Sequence, residues 1–163
     1  MRIFSLKEIK LTQGQVAIID DEDYELISQY KWYAHRCGHT FYARTNKTKK
    51  EKLSMHSLIL AAQKGQEIDH INHNGLDNRR ENLRFCTKQH NNANQIKTRG
   101  TSRFKGVYWN KTKKKWQAGI EFNSKGFYLG RFCSEEEAAR AYDKKALELY
   151  GEFACLNFPN EAV

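Results

Sequence analysis

Residues 68–94 read IDHINHNGLDNRRENLRFCTKQHNNAN. The run contains an Asp-His pair, Asp69 and His70, and places Asn82 twelve residues beyond the histidine. An asparagine-rich segment follows from Asn91. Carboxylate and amide oxygens suit a hard metal ion, and an imidazole can take a proton from an attacking water. The run therefore predicts a metal-dependent site for phosphodiester hydrolysis.

The run and its neighbours also predict a small unit of strands and helices. Glu67 to Ile71 alternates as a strand, residues 73–78 carry the Asn, Gly and Asp of a turn, and Asn82 to Thr87 returns as a second strand. A polar helix is expected from Lys88 to about Lys97, and a short helix over residues 56–62. The order is helix, strand, loop, strand, helix.

The residues that precede this unit alternate as short strands, while an acidic stretch over 20–30 has helical spacing. The strands are expected at Gln15 to Ile19, Lys31 to Ala34 and Thr40 to Arg44. The lysine-rich residues 46–52 predict an exposed turn. This region is interpreted as a scaffold.

The C-terminal part predicts three strands packed on one helix. The strands are expected at Lys105 to Trp109, Trp116 to Phe122 and Phe127 to Phe132. Ser134 and Glu137 form a capping box at the start of the helix, and Gly151 ends it. The predicted fold class is α+β: a small β-rich region at 1–55, a ββα core at 56–97, a linker at 98–102, and a three-stranded antiparallel sheet packed on one helix at 103–160.

Positive charge is concentrated in one part of the chain. The formal net charge is +9, and no Asp or Glu stands between Glu81 and Glu121. The Lys and Arg residues of this interval are Arg84, Lys88, Lys97, Arg99, Arg103, Lys105, Lys111, Lys113, Lys114 and Lys115. A field of one sign attracts nucleic acid. Alternatively, the charges form a solvated basic face. An anionic membrane is a poorer match, because no basic amphipathic helix accompanies the charges.

The cysteines and the N-terminus indicate the compartment. Cys37, Cys86, Cys133 and Cys155 form no close pair, which disfavours a zinc knuckle and a disulfide framework. No apolar segment is long enough for a signal peptide or a membrane span. The expected location is the reducing interior of a cell, the cytoplasm, with free thiols.

The run at 68–94 resembles the HNH (ββα-metal) nuclease family, in the subgroup typical of homing endonucleases of phages and mobile introns. By this resemblance His70 is the general base that activates water, and Asn82 braces the loop and the His ring. Asp69 and Asn91 would hold one divalent ion, Mg²⁺ or Mn²⁺, with Asn91 standing where other members have His. His56 also matches a recurring upstream position, with packing or phosphate contact as its expected role.

Other polar residues of the run have open roles. His73 is expected in solvent or on a phosphate, and His90 is an alternative ligand to Asn91. Arg79, Arg80 and Arg84 are candidate phosphate contacts, or else surface partners of Glu81.

The C-terminal module resembles the DNA-binding domain of plant ethylene-response (apetala-two type) factors, through FKGVYW, KWQAGI, YLGRF, SEEEAARAYDKKALELYG and ACLNFP. The resemblance implies that the sheet lies in the major groove and the helix packs behind it. The residues expected to touch DNA are Arg103, Lys105, Tyr108, Asn110, Lys113, Lys114, Lys115, Trp116 and Tyr128. Tyr108 and Asn110 stand where arginines are expected, so plant-type sequence preference is not implied. Trp109, Trp116 and Tyr128 are alternatively core aromatics.

Together these features predict a metal-dependent, homing-type HNH endonuclease from a phage or mobile element, targeted to double-stranded DNA by its C-terminal domain. No membrane or protein partner is implied. One alternative is a non-catalytic, sequence-specific transcription regulator in which the HNH core is structural. An RNA-directed activity is disfavoured because no stacking platform typical of RNA-binding domains is present.

Overall fold

The computed structural model describes residues 5–38, 40–46, 48, 51–96 and 100–161. They belong to two compact units, Met1–Thr87 and Lys88–Val163. The strands of the first unit are β1 (Leu6–Lys10), β2 (Val16–Asp20), β3 (Tyr33–Cys37), β4 (Thr40–Asn46), β5 (Lys52–Ser54), β6 (Glu67–His70) and β7 (Leu83–Cys86). Its helices are α1 (Tyr24–Ile27) and α2 (Met55–Ile59). The second unit contains α3 (Lys88–Ala93), β8 (Val107–Asn110), β9 (Lys115–Phe122), β10 (Lys125–Phe132) and α4 (Glu135–Tyr150).

An apolar core connects distant parts of the first unit. Strands β1 and β2 pair as one antiparallel sheet, β3, β4 and β5 as a second, and β6 and β7 as a third. The fully buried side chains of Ile19, Ile27 and Met55 come from three different parts of the chain, and they share one cluster with Ile68 and Leu83. The core thus continues across the predicted boundary at residue 55, and the compact units divide after Thr87.

The loop between β6 and β7 is fastened to the N-terminal strands by backbone hydrogen bonds. The Ile18 amide donates to the Leu76 carbonyl over 2.9 Å, and the Asn78 amide donates to the Ile18 carbonyl over 2.8 Å. The Gly75 amide donates to Thr40 Oγ1 over 3.1 Å. A Cβ atom at Gly75 would lie 2.5 Å from the Phe41 carbonyl oxygen, so only glycine fits beside β4.

In the second unit, the antiparallel sheet β10-β9-β8 packs on α4. Val107 and Ala118 meet Ala138 and Ala139 in the core because these small helix residues let the sheet approach closely. The Ser134 side chain accepts hydrogen bonds from the Glu136 and Glu137 amides, and the capping box with Glu137 is complete.

The close approach of Gly106 to α4 gives a testable prediction. Its φ is +71°, and an added Cβ would lie 1.9 Å from Cδ2 of Tyr142. We expect Gly106→Ala to destabilise the second unit by about 2 to 6 kcal/mol, because overpacking and backbone strain add. Urea denaturation followed by tryptophan fluorescence measures the change.

Gly126→Ala is the matched control, since nothing lies within 4 Å of a Cβ at Gly126. Its effect should stay within about 0.5 kcal/mol. Equal effects of the two substitutions would contradict the steric explanation.

The α+β fold class is confirmed, as are the capping box and the three C-terminal strands. Strands β1 and β5 were not predicted, and the strand expected from Lys31 begins at Tyr33. It begins late because Trp32 is buried and its indole donates to the Ile27 carbonyl.

Some predicted features fall outside the described residues: parts of the lysine-rich turn (47, 49 and 50), the expected end of helix α3 at Lys97, and linker residues Thr98 and Arg99. Within the described ranges, no helix is long and apolar enough to cross a membrane.

Candidate functional site

Asp69 lies near the end of β6, opposite Arg84 of β7 in the strand register. Residues directly opposite in an antiparallel pair share a face, so the two side chains meet. Arg84 donates from Nε and Nη2 to Asp69 Oδ2, over 3.0 and 2.8 Å. The side chains are only 7% and 12% exposed, so the pair is largely shielded from water. It neutralises a carboxylate that the core would otherwise bury alone.

His70, the next residue, is buried on the other face of the hairpin and is surrounded by rings. The centroids of Tyr42 and His56 lie 5.6 and 5.1 Å from that of His70, both in edge-to-face geometry. Burial lowers the pKa of His70, partly opposed by its hydrogen bond with Asn78 and by the charge of Asp69. The ring is therefore held in one orientation and favours its neutral form.

The side-chain amide of Asn78 contacts the imidazole of His70. His70 Nε2 lies 3.4 Å from Asn78 Oδ1. An amide oxygen accepts hydrogen bonds, so this contact favours the neutral tautomer that carries its proton on Nε2. Asn78 is fully buried, and its Nδ2 has no hydrogen-bond partner among the described residues. A buried amide N–H without a hydrogen-bond partner costs free energy of folding. Holding the His70 ring is the role that explains the position of Asn78.

His56 predicts how stability depends on pH. Burial, together with the charges of His70 and Arg44, lowers its pKa to about 3. Below pH 6.5, His56 binds a proton in the unfolded chain but not in the folded chain. The free energy of unfolding should therefore fall by up to about 1.4 kcal/mol per pH unit from 6.5 towards 3. Denaturation midpoints at pH 7, 6 and 5 measure this slope.

His56→Gln is the variant that isolates the effect, because it keeps a polar side chain and removes the titration. Its stability should depend less steeply on pH than that of the wild type. An unchanged slope would mean that His56 contributes nothing to it.

The side chain of Asn82 links separate parts of the loop between β6 and β7. Its Oδ1 accepts from the Asn72 amide over 2.9 Å, and its Nδ2 donates to Asn72 Oδ1 and the Asp77 carbonyl over 3.0 and 2.8 Å. The side chain is 5% exposed. These three bonds hold the backbone that follows His70, which is the arrangement that a bracing role requires.

The other loop arginines also pair with carboxylates. Arg79 forms a two-pronged bond with Asp77, over 2.8 Å from Nε and from Nη2, and also contacts Glu81. Arg80 pairs with the buried Asp23 over 2.6 Å. These bonds fix the loop to the turn that precedes α1 and to itself. Phosphate contact by Arg79, Arg80 and Arg84 stays a prediction.

The third residue of the predicted site lies in the second unit. Asn91 is half-buried on α3, and its neighbour His90 stacks on Phe153 with centroids 4.2 Å apart. Lys105 donates from Nζ to the carbonyls of Ala93 and Gln95 at the end of α3. Burial lowers the pKa of Lys105. The lysine therefore fastens α3 to the start of the sheet module.

The sheet has one face on α4 and one face outward. Side chains alternate along each strand, so the outer face carries polar and aromatic residues. They are Tyr108, Asn110, Lys115, Gln117, Glu121, Tyr128 and Arg131. Trp116 instead packs on the core side against Trp109, with centroids 5.1 Å apart. Of the predicted DNA contacts, Tyr108, Asn110, Lys115 and Tyr128 share the outer face.

Hydrogen bonds across the outer face fix three of these side chains. Gln117 donates from Nε2 to the Tyr108 hydroxyl over 2.7 Å and accepts from Asn110 Nδ2 over 3.0 Å. Asn110 Oδ1 accepts from the Lys113 amide over 2.9 Å, closing the turn. Both ends of the Asn110 side chain are thus used within the protein. Lys113 and Lys114 are exposed in that turn, and Arg103 pairs with Glu136.

Four residues around His70 and on the outer face of the sheet were not identified from the sequence. They are Tyr42, Asn78, Gln117 and Arg131. Tyr42 reaches His70 through the packing of β4, a relation that no spacing encodes. Asn78 is one of several polar residues in the predicted turn, and no local pattern marks it. Arg131 reaches the outer face of the sheet because β10 contains an irregularity.

Among the described residues, no group of three or more His, Cys, Asp or Glu side chains gathers as metal ligands.

Comparison with known proteins identifies both parts of the chain. A family described as HNH endonuclease matches residues 62–93, and one described as AP2 domain matches residues 102–152. An uncharacterized HNH endonuclease of Acanthamoeba polyphaga mimivirus is 31% identical over 147 residues, which cover 89% of this chain and 76% of that protein.

Two plant proteins match the C-terminal part. An ethylene-responsive transcription factor of Arabidopsis thaliana is 41% identical over 63 residues, 37% of this chain and 15% of the factor. An APETALA2-like protein of Oryza sativa subsp. japonica is 45% identical over 62 residues, 37% of this chain and 14% of that protein. With the buried Asp-His hairpin and the sheet module on one helix, these matches show that the chain belongs to the HNH endonuclease family and carries a C-terminal AP2 domain.

Proposed function

We propose that this chain is a metal-dependent, homing-type DNA endonuclease that hydrolyses phosphodiester bonds and is held on double-stranded DNA by its AP2 domain. The observation that carries the proposal is His70. It is buried, enclosed by Tyr42 and His56, in contact with Asn78, and adjacent to Asp69 in the chain.

The chemistry proposed for His70 is general-base catalysis. The lone pair of its neutral imidazole takes the proton from the attacking water, a step that contributes about 10² to 10⁴-fold. The lowered pKa keeps the ring neutral at physiological pH, as a base requires. Asn78 and the two flanking rings orient it, and Asn82 holds the loop that follows.

Asp69 and Asn91 are proposed to hold a divalent cation, Mg²⁺ or Mn²⁺. The donor chemistry fits, because proteins bind Mg²⁺ through one or two carboxylates together with waters and substrate phosphate oxygens. Such an ion, when bound, neutralises charge on the phosphate and on the leaving oxygen. Arg84, which now neutralises Asp69, is a cation beside that carboxylate and a natural phosphate contact.

DNA binding is assigned to the AP2 domain and the acid-free basic interval. Tyr108, Lys115 and Tyr128 share the outer face, and the lysine turn at 113–115 extends from its edge. Positive charge without interspersed carboxylates releases counterions from DNA, so binding should weaken steeply with salt. We place this activity in the cytoplasm of the host cell.

The test is plasmid cleavage with Mg²⁺, Mn²⁺ or EDTA, using DNA that carries candidate target sites. We expect nicking or linearisation with either ion and none in EDTA. Tight duplex binding without cleavage in any ion would reject the nuclease and favour a sequence-specific DNA-binding regulator.

A further inference from the structure

Strand β10 contains an irregularity that decides where Arg131 points. The register shifts between Tyr128, which pairs with Gly119, and Gly130, which pairs with Ala118. In a regular strand, residues three apart point to opposite faces. The bulge adds one residue, so Tyr128 and Arg131 both lie on the outer face.

The partners of these residues confirm the assignment of faces. Ala118, opposite Gly130, is fully buried against α4, whereas Gln117, opposite Arg131, bonds to the exposed Tyr108. Gly130 has φ +126°, a conformation that favours glycine. The bulge is thus built into the strand, and without it Arg131 would face the core side.

The guanidinium of Arg131 lies beside a tyrosine ring, whereas two other arginines of the domain pair with carboxylates. Arg103 pairs with Glu136 and Arg140 pairs with Glu161. In the described part of the chain, no carboxylate pairs with Arg131. Its side chain is exposed, and Cζ lies 5.8 Å from the centroid of the Tyr128 ring. Glu121, on the same face, is four positions along β9 from Gln117, roughly 13 Å away at strand spacing.

We infer that Arg131 is the guanine-reading residue of this AP2 domain. The inference rests on the proposed DNA binding. The two positions where arginines are expected hold Tyr108 and Asn110, and the turn and Gln117 occupy the side chain of Asn110. An arginine fork binds O6 and N7 of guanine in the major groove with two parallel hydrogen bonds. Tyr128 supports the fork from one side, and Arg131 supplies the cation that β8 lacks.

The first experiment selects preferred sites from random duplexes with the full chain in EDTA, so that no DNA is cut. The variants are Arg131→Ala, Arg131→Lys and, as the control, Arg140→Ala, which also removes one exposed arginine but from α4. Wild type and Arg140→Ala should prefer guanine at one position by about 5- to 150-fold. Arg131→Ala should lose that preference, while Arg131→Lys, a point charge without the fork, should retain only part of it.

The second experiment replaces the preferred guanine by 7-deazaguanine, which lacks the N7 acceptor. The analogue should weaken binding by wild type and should not weaken binding by Arg131→Ala further, a coupling that a merely structural role would not produce. Retention of the guanine preference in Arg131→Ala would overturn the inference and leave the proposed function intact. Absence of any duplex binding by wild type would overturn both.

Discussion

Replacing His70 with alanine should lower the rate of DNA cleavage by about 10² to 10⁴-fold, because the variant has no group to take the proton from water. DNA affinity should be nearly unchanged, since His70 is buried and the binding surface is assigned to the AP2 domain. Single-turnover cleavage at saturating DNA measures the chemical step, and a binding titration in EDTA measures affinity.

His73→Asn is the matched control for this experiment. His73 lies three residues further along, in the loop, with φ +64°, and asparagine tolerates that backbone conformation. The control should cleave at close to the wild-type rate. Cleavage by His70→Ala at the wild-type rate, in a protein with a normal melting curve, would remove His70 as the base.

Asp69→Asn should have two large effects. It removes the proposed metal-binding carboxylate, so metal-dependent cleavage should be lost. It also leaves Arg84 as a buried guanidinium without its carboxylate, which should destabilise the first unit by about 3 to 5 kcal/mol. Cleavage assays and urea denaturation measure the two effects separately.

A double variant separates the two roles of Asp69. In Asp69→Asn with Arg84→Gln, both members of the pair are neutral, so most of the lost stability should return. Cleavage should stay absent, because the carboxylate is still missing. Isothermal titration with Mn²⁺ gives a readout independent of activity, and binding should be weaker in both variants. Restored cleavage in the double variant would show that Asp69 matters only as a partner of Arg84.

Local sequence patterns predicted most of the secondary structure, and long-range packing produced the rest. The capping box of α4 and the turn residues between β6 and β7 act within a few positions, so the sequence carries them directly. The short strand β5 was missed because it pairs with β4 and has little pattern of its own.

The candidate sites show the same division. Asp69 and His70 were identified because adjacent residues carry the motif. The pairing of Asp69 with Arg84 required the register of two strands, and the enclosure of His70 required Tyr42 and His56 from other elements. The bulge in β10 places Arg131 on the outer face of the sheet, whereas regular alternation along the strand would have turned it inward.

The backbone bonds of Ile18 to Leu76 and Asn78 indicate how much of the chain must stay together for the loop to keep its support. The matched family segment begins at residue 62, yet the loop it contains is fastened to a hairpin more than forty positions upstream. A recombination that transferred only that segment would separate the loop from its support. We therefore expect stable recombinants to keep residues 6–86 together, with crossover points outside the codons for that range.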